Sequence, residues 1–248
     1  MNRIILEQTE IDGGGRVRLK GRRALHILKV LKVLRGSSVR VGILDGPRGT
    51  ADIIDISDNS VSLACHFEKT PPPLPAVDLL LALPRPKVMR RLWPQLAALG
   101  VRRIVLTNAE KVERNYFDTH WLSEDVYRPL LIEGLEQSGD TRLPQVRICR
   151  RLKPLLEDES DAIFGKGRRL ICHPREAMPV TEISIGSAEQ VLLAVGPEGG
   201  WSNYEIDIFA EHRFDCISPG WRVLRSDTAC ITLIAAVNAR RSTADTGL

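Results

Sequence analysis

The sequence has no apolar run long enough to cross a bilayer. Its longest such stretches, Val77 to Leu83 and Val191 to Val195, fall far short of the roughly 20 residues a spanning helix needs. No apolar segment opens the chain, so no secretory signal is read and a cytoplasmic protein with no membrane partner is expected. Cysteine is scarce and badly spaced for structural chemistry. The five residues Cys65, Cys149, Cys172, Cys216 and Cys230 are odd in number, and none forms a C-x-x-C pair. That spacing argues against a disulfide framework and against a zinc site, so buried or inert thiols and no metal are expected. Neither G-x-G-x-x-G nor G-K-[ST] occurs in the glycine-rich loops, which indicates neither a dinucleotide fold nor a P-loop.

Acidic residues are missing from one stretch altogether. Between Gly13 and Leu44 stand nine basic residues and no Asp or Glu: Arg16, Arg18, Lys20, Arg22, Arg23, Lys29, Lys32, Arg35 and Arg40. The net charge of +4 arises entirely within residues 1–70, since residues 71–248 hold 23 basic and 23 acidic side chains. A one-signed patch of this density suits a polyphosphate partner, because each contact releases condensed counterions.

The segment that carries this patch reads as β-rich. Val17 and Leu19 alternate with Arg16, Arg18 and Lys20, a period of two. Ala24 to Leu34 has a helical period, with Leu25, Leu28 and Leu31 on one face, Val30 and Leu34 as further candidates for it, and Gly36 as its stop. Strands are predicted over Ser38 to Leu44, Ala51 to Ile56 and Val61 to Phe67, the first two joined by the turn Asp45-Gly46-Pro47. Four prolines in Pro71 to Pro75 then form an extended spacer, and a domain boundary is placed at 71–76.

Beyond the spacer the pattern changes to alternating strands and helices. Val77 to Leu83 reads as a continuous apolar strand buried on both faces. Lys87 to Leu99 is helical, with Met89, Leu92, Leu96 and Leu99 on one stripe, Gly100 at its exit and Pro94 as a kink or irregular start. Arg103 to Thr107, Arg169 to Cys172, Val191 to Val195 and Phe214 to Ile217 read as strands. Trp121 to Gln137, Asn203 to His212 and Thr228 to Arg241 read as helices. The alternation predicts an α/β domain with a mostly parallel sheet.

Three motifs carry possible chemistry. Gly196-Pro197-Glu198-Gly199-Gly200-Trp201 follows a buried strand and leads into a helix capped by the S-x-x-E box of Ser202 and Glu205. Its glycines let backbone pass close to a ligand at the carboxyl end of a strand, although a tight structural turn fits the same residues. Ile217-Ser218-Pro219-Gly220-Trp221-Arg222-Val223-Leu224-Arg225 ends another strand and places two arginines before a helix capped by Ser226 or Asp227. Glu136-Gln137-Ser138-Gly139 ends a helix in small polar residues, where Gln137, Ser138 and the nearby Arg142 suit contacts to bases or phosphates.

Taken together, Gly196 to Gly200, Arg222 to Ala229 and Glu136 to Gly139 resemble the signatures of the ribosomal RNA small-subunit methyltransferase E family, and the likeness covers nearly the whole chain. His26 before Lys29-Val30-Leu31, with the Asp45-Gly46 turn, is similar to that family's RNA-binding module. The resemblance implies a trefoil-knotted α/β SPOUT methyltransferase domain over 77–248, preceded by a small β-rich PUA-like RNA-binding domain over 1–70. It implies a homodimer that uses S-adenosylmethionine to methylate N3 of a uridine in 16S ribosomal RNA of the small subunit.

The implied cofactor residues are His173, Pro174, Gly196, Pro197, Glu198, Gly199, Gly200, Ile217, Gly220, Val223, Leu224 and Thr228. Arg225 is the expected stabiliser of charge on the uracil oxygens, with Glu198 or Asp227 to orient it or relay a proton. RNA contacts are expected from Arg16, Arg18, Lys20, Arg22, Arg23, Lys29, Lys32, Gln137, Ser138 and Arg142. The chain departs from the family pattern at Ser226-Asp227, usually Thr-Glu, at Asp140, usually Arg, and at Lys32, usually Arg. Methylation of a different RNA site, RNA binding without catalysis and small-molecule chemistry remain alternatives on sequence alone.

Overall fold

The computed structural model describes residues 3–31, 33–57, 59–174 and 177–244, and the chain divides into two units: Met1–Leu74 with Ile132–Leu143, and Pro75–Leu131 with Pro144–Leu248. A boundary drawn only at the proline-rich stretch assigns Ile132–Leu143 to the second unit; the structure groups it with the first.

In the first unit, β1 (Ile4–Leu6), β2 (Arg16–Lys20), β3 (Ser38–Ile43), β4 (Arg48–Ser57) and β5 (Ser60–Phe67) form one sheet in the order β1-β3-β4-β5-β2. Pairings are antiparallel except for β1 on β3. The period of two in β2 is realised as predicted. Val17 and Leu19 enter the core, and Arg16, Arg18 and Lys20 stay exposed along the sheet edge.

The helix predicted from Ala24 begins earlier. It runs as α1 (Gly21–Leu25) and continues as a π-helical turn, His26–Leu31. The i→i+5 bonding of that turn departs from the 3.6-residue period on which a Leu25–Leu28–Leu31 stripe depends. Ala24 and Ile27 are the fully buried side chains of this stretch and Leu28 packs half-buried against the same core, while Leu25 is 40% exposed, Val30 and Leu34 face solvent, and the Leu31 side chain lies outside the described residues.

Specific bonds tie Ile132–Leu143 to this sheet. The Arg3 guanidinium donates to the carbonyls of Gly139 (3.1 Å), Val41 (2.6 Å) and Gly49 (3.2 Å). Asp45 N–H donates to the Thr141 carbonyl at 2.7 Å, and the fully buried Thr141 hydroxyl donates to the Gly46 carbonyl at 2.7 Å. Each satisfies groups that burial would otherwise orphan.

The second unit contains β6 (Val77–Ala82), α2 (Pro86–Ala98), β7 (Val101–Thr107), the first half of α3 (Glu124–Ser138), β8 (Gln145–Cys149) and an irregular helical stretch. That stretch comprises α4 (Leu152–Pro154), a π-helical turn and α5 (Ser160–Phe164). β9 (Arg168–Cys172), β10 (Met178–Pro179), β11 (Val191–Val195), α6 (Asn203–Glu211), β12 (Asp215–Ser218) and α7 (Ser226–Ala244) complete it. Its seven strands are all parallel, in the order β10-β12-β9-β11-β6-β7-β8, so the α/β class expected from the alternation is the one found.

Every residue of β6 and β11 is buried. The reading of Val77 to Leu83 as continuously apolar passes over Asp78, which lies inside β6 and is 1% exposed. Two arginines at the start of β7 hold its carboxylate. Arg102 makes a bidentate pair, with Nε–H donating to Oδ1 at 2.9 Å, and Arg103 lies 3.7 Å from Oδ2. A buried charge is tolerated only with such partners. α2 runs through Pro94 to Ala98, where burial of Met89, Leu92, Trp93, Leu96 and Ala97 offsets the missing hydrogen bond.

Candidate active site

Because β12, β9 and β11 are neighbours and parallel, the loops leaving their carboxyl ends meet at one edge of the sheet, where open α/β sheets bind ligands. The three loops are His173-Pro174 after β9, Gly196 to Trp201 after β11, and Pro219 to Arg225 after β12. Together they enclose a cavity of about 390 Å³. His173 N–H donates to the Ile217 carbonyl at 3.0 Å, and the buried Ser226 hydroxyl donates to the Gly196 carbonyl at 3.0 Å, so each loop is fixed to its neighbour.

The β11 loop is shaped by close approaches. A Cβ on Gly196 would come within 3.1 Å of the Trp201 indole, and one on Gly199 within 2.9 Å of the Lys111 side chain. Lys111 Nζ also donates to the Gly199 carbonyl at 2.9 Å. Trp201 packs edge-on against Phe209 at 4.8 Å, which anchors the loop to α6. The capping box predicted from Ser202 and Glu205 is present. Ser202 N–H donates to Glu205 Oε2 at 2.8 Å, and Glu205 N–H donates to the Ser202 hydroxyl at 3.4 Å. Glu205 has a second role that local sequence does not reveal: its Oε1 accepts the Glu110 N–H at 2.8 Å, joining the segment after β7 to α6.

The β12 loop turns at Gly220, whose φ of +141° favours glycine, and the Ser218 hydroxyl bridges that turn by accepting from Gly220 N–H and donating to Gly220 O. The helix cap differs from the expectation of Ser226 or Asp227. The Arg225 carbonyl accepts the first helical bond from Ala229, Ser226 is spent on Gly196, and Asp227 Oδ1 accepts from the N–H and the hydroxyl of Thr228 next door. Asp227 Oδ2 instead accepts from the Arg91 guanidinium on α2 at 3.1 Å.

Of the residues expected at the cofactor, His173, Pro174, Gly196, Pro197, Glu198, Gly199, Gly200, Val223 and Leu224 line the cavity. Ile217 is fully buried within β12, Gly220 forms the turn, and Thr228 is exposed on α7; none of these three lines it. Glu198 is exposed at the cavity and accepts the Arg85 N–H at 3.4 Å. Arg225 is exposed beside the cavity rather than lining it, with no side-chain partner among the described residues.

Lys111, Cys172, Trp201, Asn203, Ser226 and Ala229 also line the site; Trp201, Ser226 and Ala229 belong to the sequence motifs but carry no cofactor assignment there. The S-x-x-E box pointed at the helix start that carries Asn203. Lys111 and Cys172 are brought in by strand order, which no local pattern encodes. Burial pushes the Cys172 thiol up to about 11, which makes it inert as a thiolate at neutral pH.

The expected RNA contacts distribute differently within the first unit. Arg16, Arg18, Lys20 and Lys29 are exposed, with Arg18 Nε–H donating to the Ser60 hydroxyl at 3.1 Å. Arg22, Arg23 and Gln137 come together around a second cavity. Ser138 Oγ donates to the Leu135 carbonyl at 3.4 Å. Arg142 is occupied, its guanidinium donating to the carbonyls of Pro72 (2.8 Å) and Asp45 (2.9 Å). Asp140 pairs with Arg48 at 3.3 Å and accepts from Thr141 N–H at 2.7 Å. Lys32 lies outside the described residues.

A parallel α/β sheet with three loops converging at its carboxyl edge defines a ligand-binding α/β architecture, and the chain belongs to the RNA methyltransferase domain family, whose model matches residues 70–238. It is similar over nearly its whole length to ribosomal RNA small subunit methyltransferase E of Treponema pallidum, with 29% identity over 245 residues covering 96% of this chain and 91% of that protein. Methyltransferase E 1 of Borreliella burgdorferi is 26% identical over 232 residues, covering 93% and 94%. The fold matches the crystal structure of methyltransferase E from Neisseria gonorrhoeae bound to S-adenosyl methionine, with a TM-score of 0.76 at 24% identity over 96% of this chain and 97% of that one.

Proposed function

We propose that this protein transfers a methyl group from S-adenosylmethionine to N3 of a uridine in 16S ribosomal RNA of the small subunit. In this reading it works in the cytoplasm as a homodimer. It combines a PUA-like RNA-binding domain (1–70), a linker (71–76) and a knotted SPOUT domain (77–248). The observation that carries the reading is the convergence of the β9, β11 and β12 loops on one cavity inside the region matched by the RNA methyltransferase family. The names of the relatives and the cofactor in the Neisseria structure support the finer assignment.

The residues present fit such a cofactor. The cavity falls in the range of small-molecule sites, roughly 300–1,000 Å³. Val223, Leu224 and Ala229 supply apolar wall for an adenine, and Gly196, Gly199 and Gly200 present backbone without side chains to the cavity. When bound, S-adenosylmethionine supplies a methyl group already activated on a positive sulfur. The chain's own task is then alignment and charge control. A uridine N3 must lose its proton, and the resulting negative charge spreads over the neighbouring carbonyl oxygens. Arg225, which follows the lining residue Leu224 and has no side-chain partner among the described residues, is the residue assigned to stabilise that charge. Glu198, exposed at the cavity, serves as proton relay, while Asp227, held by Arg91, orients the start of α7. The exposed Trp221 and Val223 on the same loop support the homodimer, which would cover them.

The test is Arg225→Ala. Methyl transfer to small-subunit RNA is expected to fall about 100-fold, as on removal of one charge-stabilising donor, with RNA affinity little changed. Full transfer at unchanged RNA affinity would remove Arg225 from the mechanism.

A further inference from the structure

The first unit holds a cavity of about 410 Å³ to which methyl transfer assigns no role. β1, α1 and the end of α3 supply its walls. Arg3 is immobilised there by its three carbonyl partners. Arg22 on α1 pairs with Glu136 at 3.4 Å, and Arg23 is held by Glu10 through both guanidinium nitrogens. His26 also lines the cavity, and its Nε2 is buried without a hydrogen-bond partner among the described residues, an arrangement that costs stability until something completes it. Glu133 and Gln137, one turn apart on α3, are exposed at the cavity.

The mixture of charges decides what class of ligand fits. A phosphate would meet Glu133 and Glu136 beside the arginines, and two carboxylates oppose a second anion. A neutral heteroaromatic ring with donors on one edge and acceptors on another uses both signs. Among nucleobases, guanine offers two adjacent N–H donors to a carboxylate, and O6 and N7 as acceptors to Arg or His. Uracil and cytosine offer only part of that pattern, and adenine lacks the donor pair.

The phosphates have their own track. β2 runs directly into α1, so the exposed Arg16, Arg18 and Lys20, recurring about every 6.8 Å, lead along the chain to Arg22 and Arg23 at the cavity. That interval is of the order of the separation between neighbouring phosphates of an extended single strand.

The geometry points to a nucleobase pocket. This cavity receives an unpaired guanine of the RNA, with Glu133 reading its N–H edge and the flanking phosphates held along β2. The inference rests on the reading of the chain as an enzyme that acts on RNA. Its test is fluorescence anisotropy on the full chain with two labelled single-stranded RNA heptamers, seven uridines and the same strand with a central guanosine. The guanosine strand is expected to bind about 10-fold tighter, the scale of one bidentate base contact. Glu133→Gln is expected to bring the ratio to about one at unchanged affinity for heptauridine, and Gln137→Ala, another exposed position, to reduce it. Equal affinity for the two strands, or a ratio that survives Glu133→Gln, overturns the pocket. Methyl transfer is measured on the same preparation. Transfer without guanosine preference overturns the pocket alone, whereas guanosine preference without transfer supports the pocket and overturns the methyltransferase reading.

Discussion

The hydroxyl of Ser226 joins the two loops that make most of the candidate cofactor cavity, and its removal has a calculable cost. Ser226 is 5% exposed and donates to the Gly196 carbonyl at 3.0 Å, across 30 residues of sequence. Ser226→Ala takes away one buried hydrogen bond and leaves that carbonyl unsatisfied. The bond itself contributes about 1 kcal/mol and the orphaned acceptor costs about 1–3 kcal/mol, so a loss of about 2 kcal/mol is expected. For a chain of this size that lowers the melting temperature by roughly 4–8 °C. Part of the loss falls on ligand binding, because the Gly196 and Leu224 loops no longer hold each other. If about half of it does, cofactor affinity drops roughly five-fold. Calorimetry with S-adenosylmethionine and thermal denaturation measure both quantities on one preparation. Binding of single-stranded RNA is expected to be unchanged. A Ser226→Ala protein with unaltered melting temperature and cofactor affinity would refute the coupling of the two loops.

Three further outcomes follow from individual groups. Asp78→Ala leaves Arg102 and Arg103 at the sheet without their carboxylate and is expected to destabilise the protein by about 3–4 kcal/mol, read by urea denaturation; a loss below about 1 kcal/mol would mean the pair is solvated rather than structural. The hydrogen bond from Arg23 holds the Glu10 carboxyl below its ordinary value of 4.5, so its contribution is fully present above that value and is lost as pH falls through the depressed folded value. Glu10→Gln should therefore lower the denaturation midpoint at pH 7 and converge with the parent protein in strong acid, while a gap that widens on acidification would contradict the sign. Cys172, with its thiol near 11, should resist iodoacetamide at pH 7.5, where about three thiols in ten thousand are ionised, and rapid labelling in the native protein would contradict the raised pKa.

Patterns that depend on neighbours in sequence were the legible ones. The Ser202–Glu205 box, the stripe of Met89, Leu92 and Leu96, and the alternation in β2 all use bonds or faces within a few residues. The glycine-rich loop could be placed at a strand's carboxyl end because Val191 to Val195 is uniformly apolar. The missed elements lack such signals. β8 presents only a weak alternation in Gln145 to Cys149, β1 is three residues long, and Pro154 among charged residues hides the helical stretch from Leu152.

What escaped most completely were polar partnerships over long separations. Asp227 was read as a cap yet pairs with Arg91, 136 residues away. Arg142, expected from sequence as an RNA contact, also binds carbonyls 70 and 97 residues away. In both cases a charged side chain in a loop carries no mark of whether solvent, ligand or backbone will claim it. The buried Asp78 shows the converse, since its position in an otherwise apolar strand requires cationic partners that sequence alone does not locate.

The central claim is tested most directly by incubating the protein with labelled S-adenosylmethionine and small ribosomal subunits from a strain lacking its gene, then digesting the RNA to nucleosides. Label in 3-methyluridine is the predicted result and establishes reaction, cofactor and acceptor atom together. Label in another nucleoside, or none despite cofactor binding by calorimetry, would contradict the proposed uridine-N3 reaction.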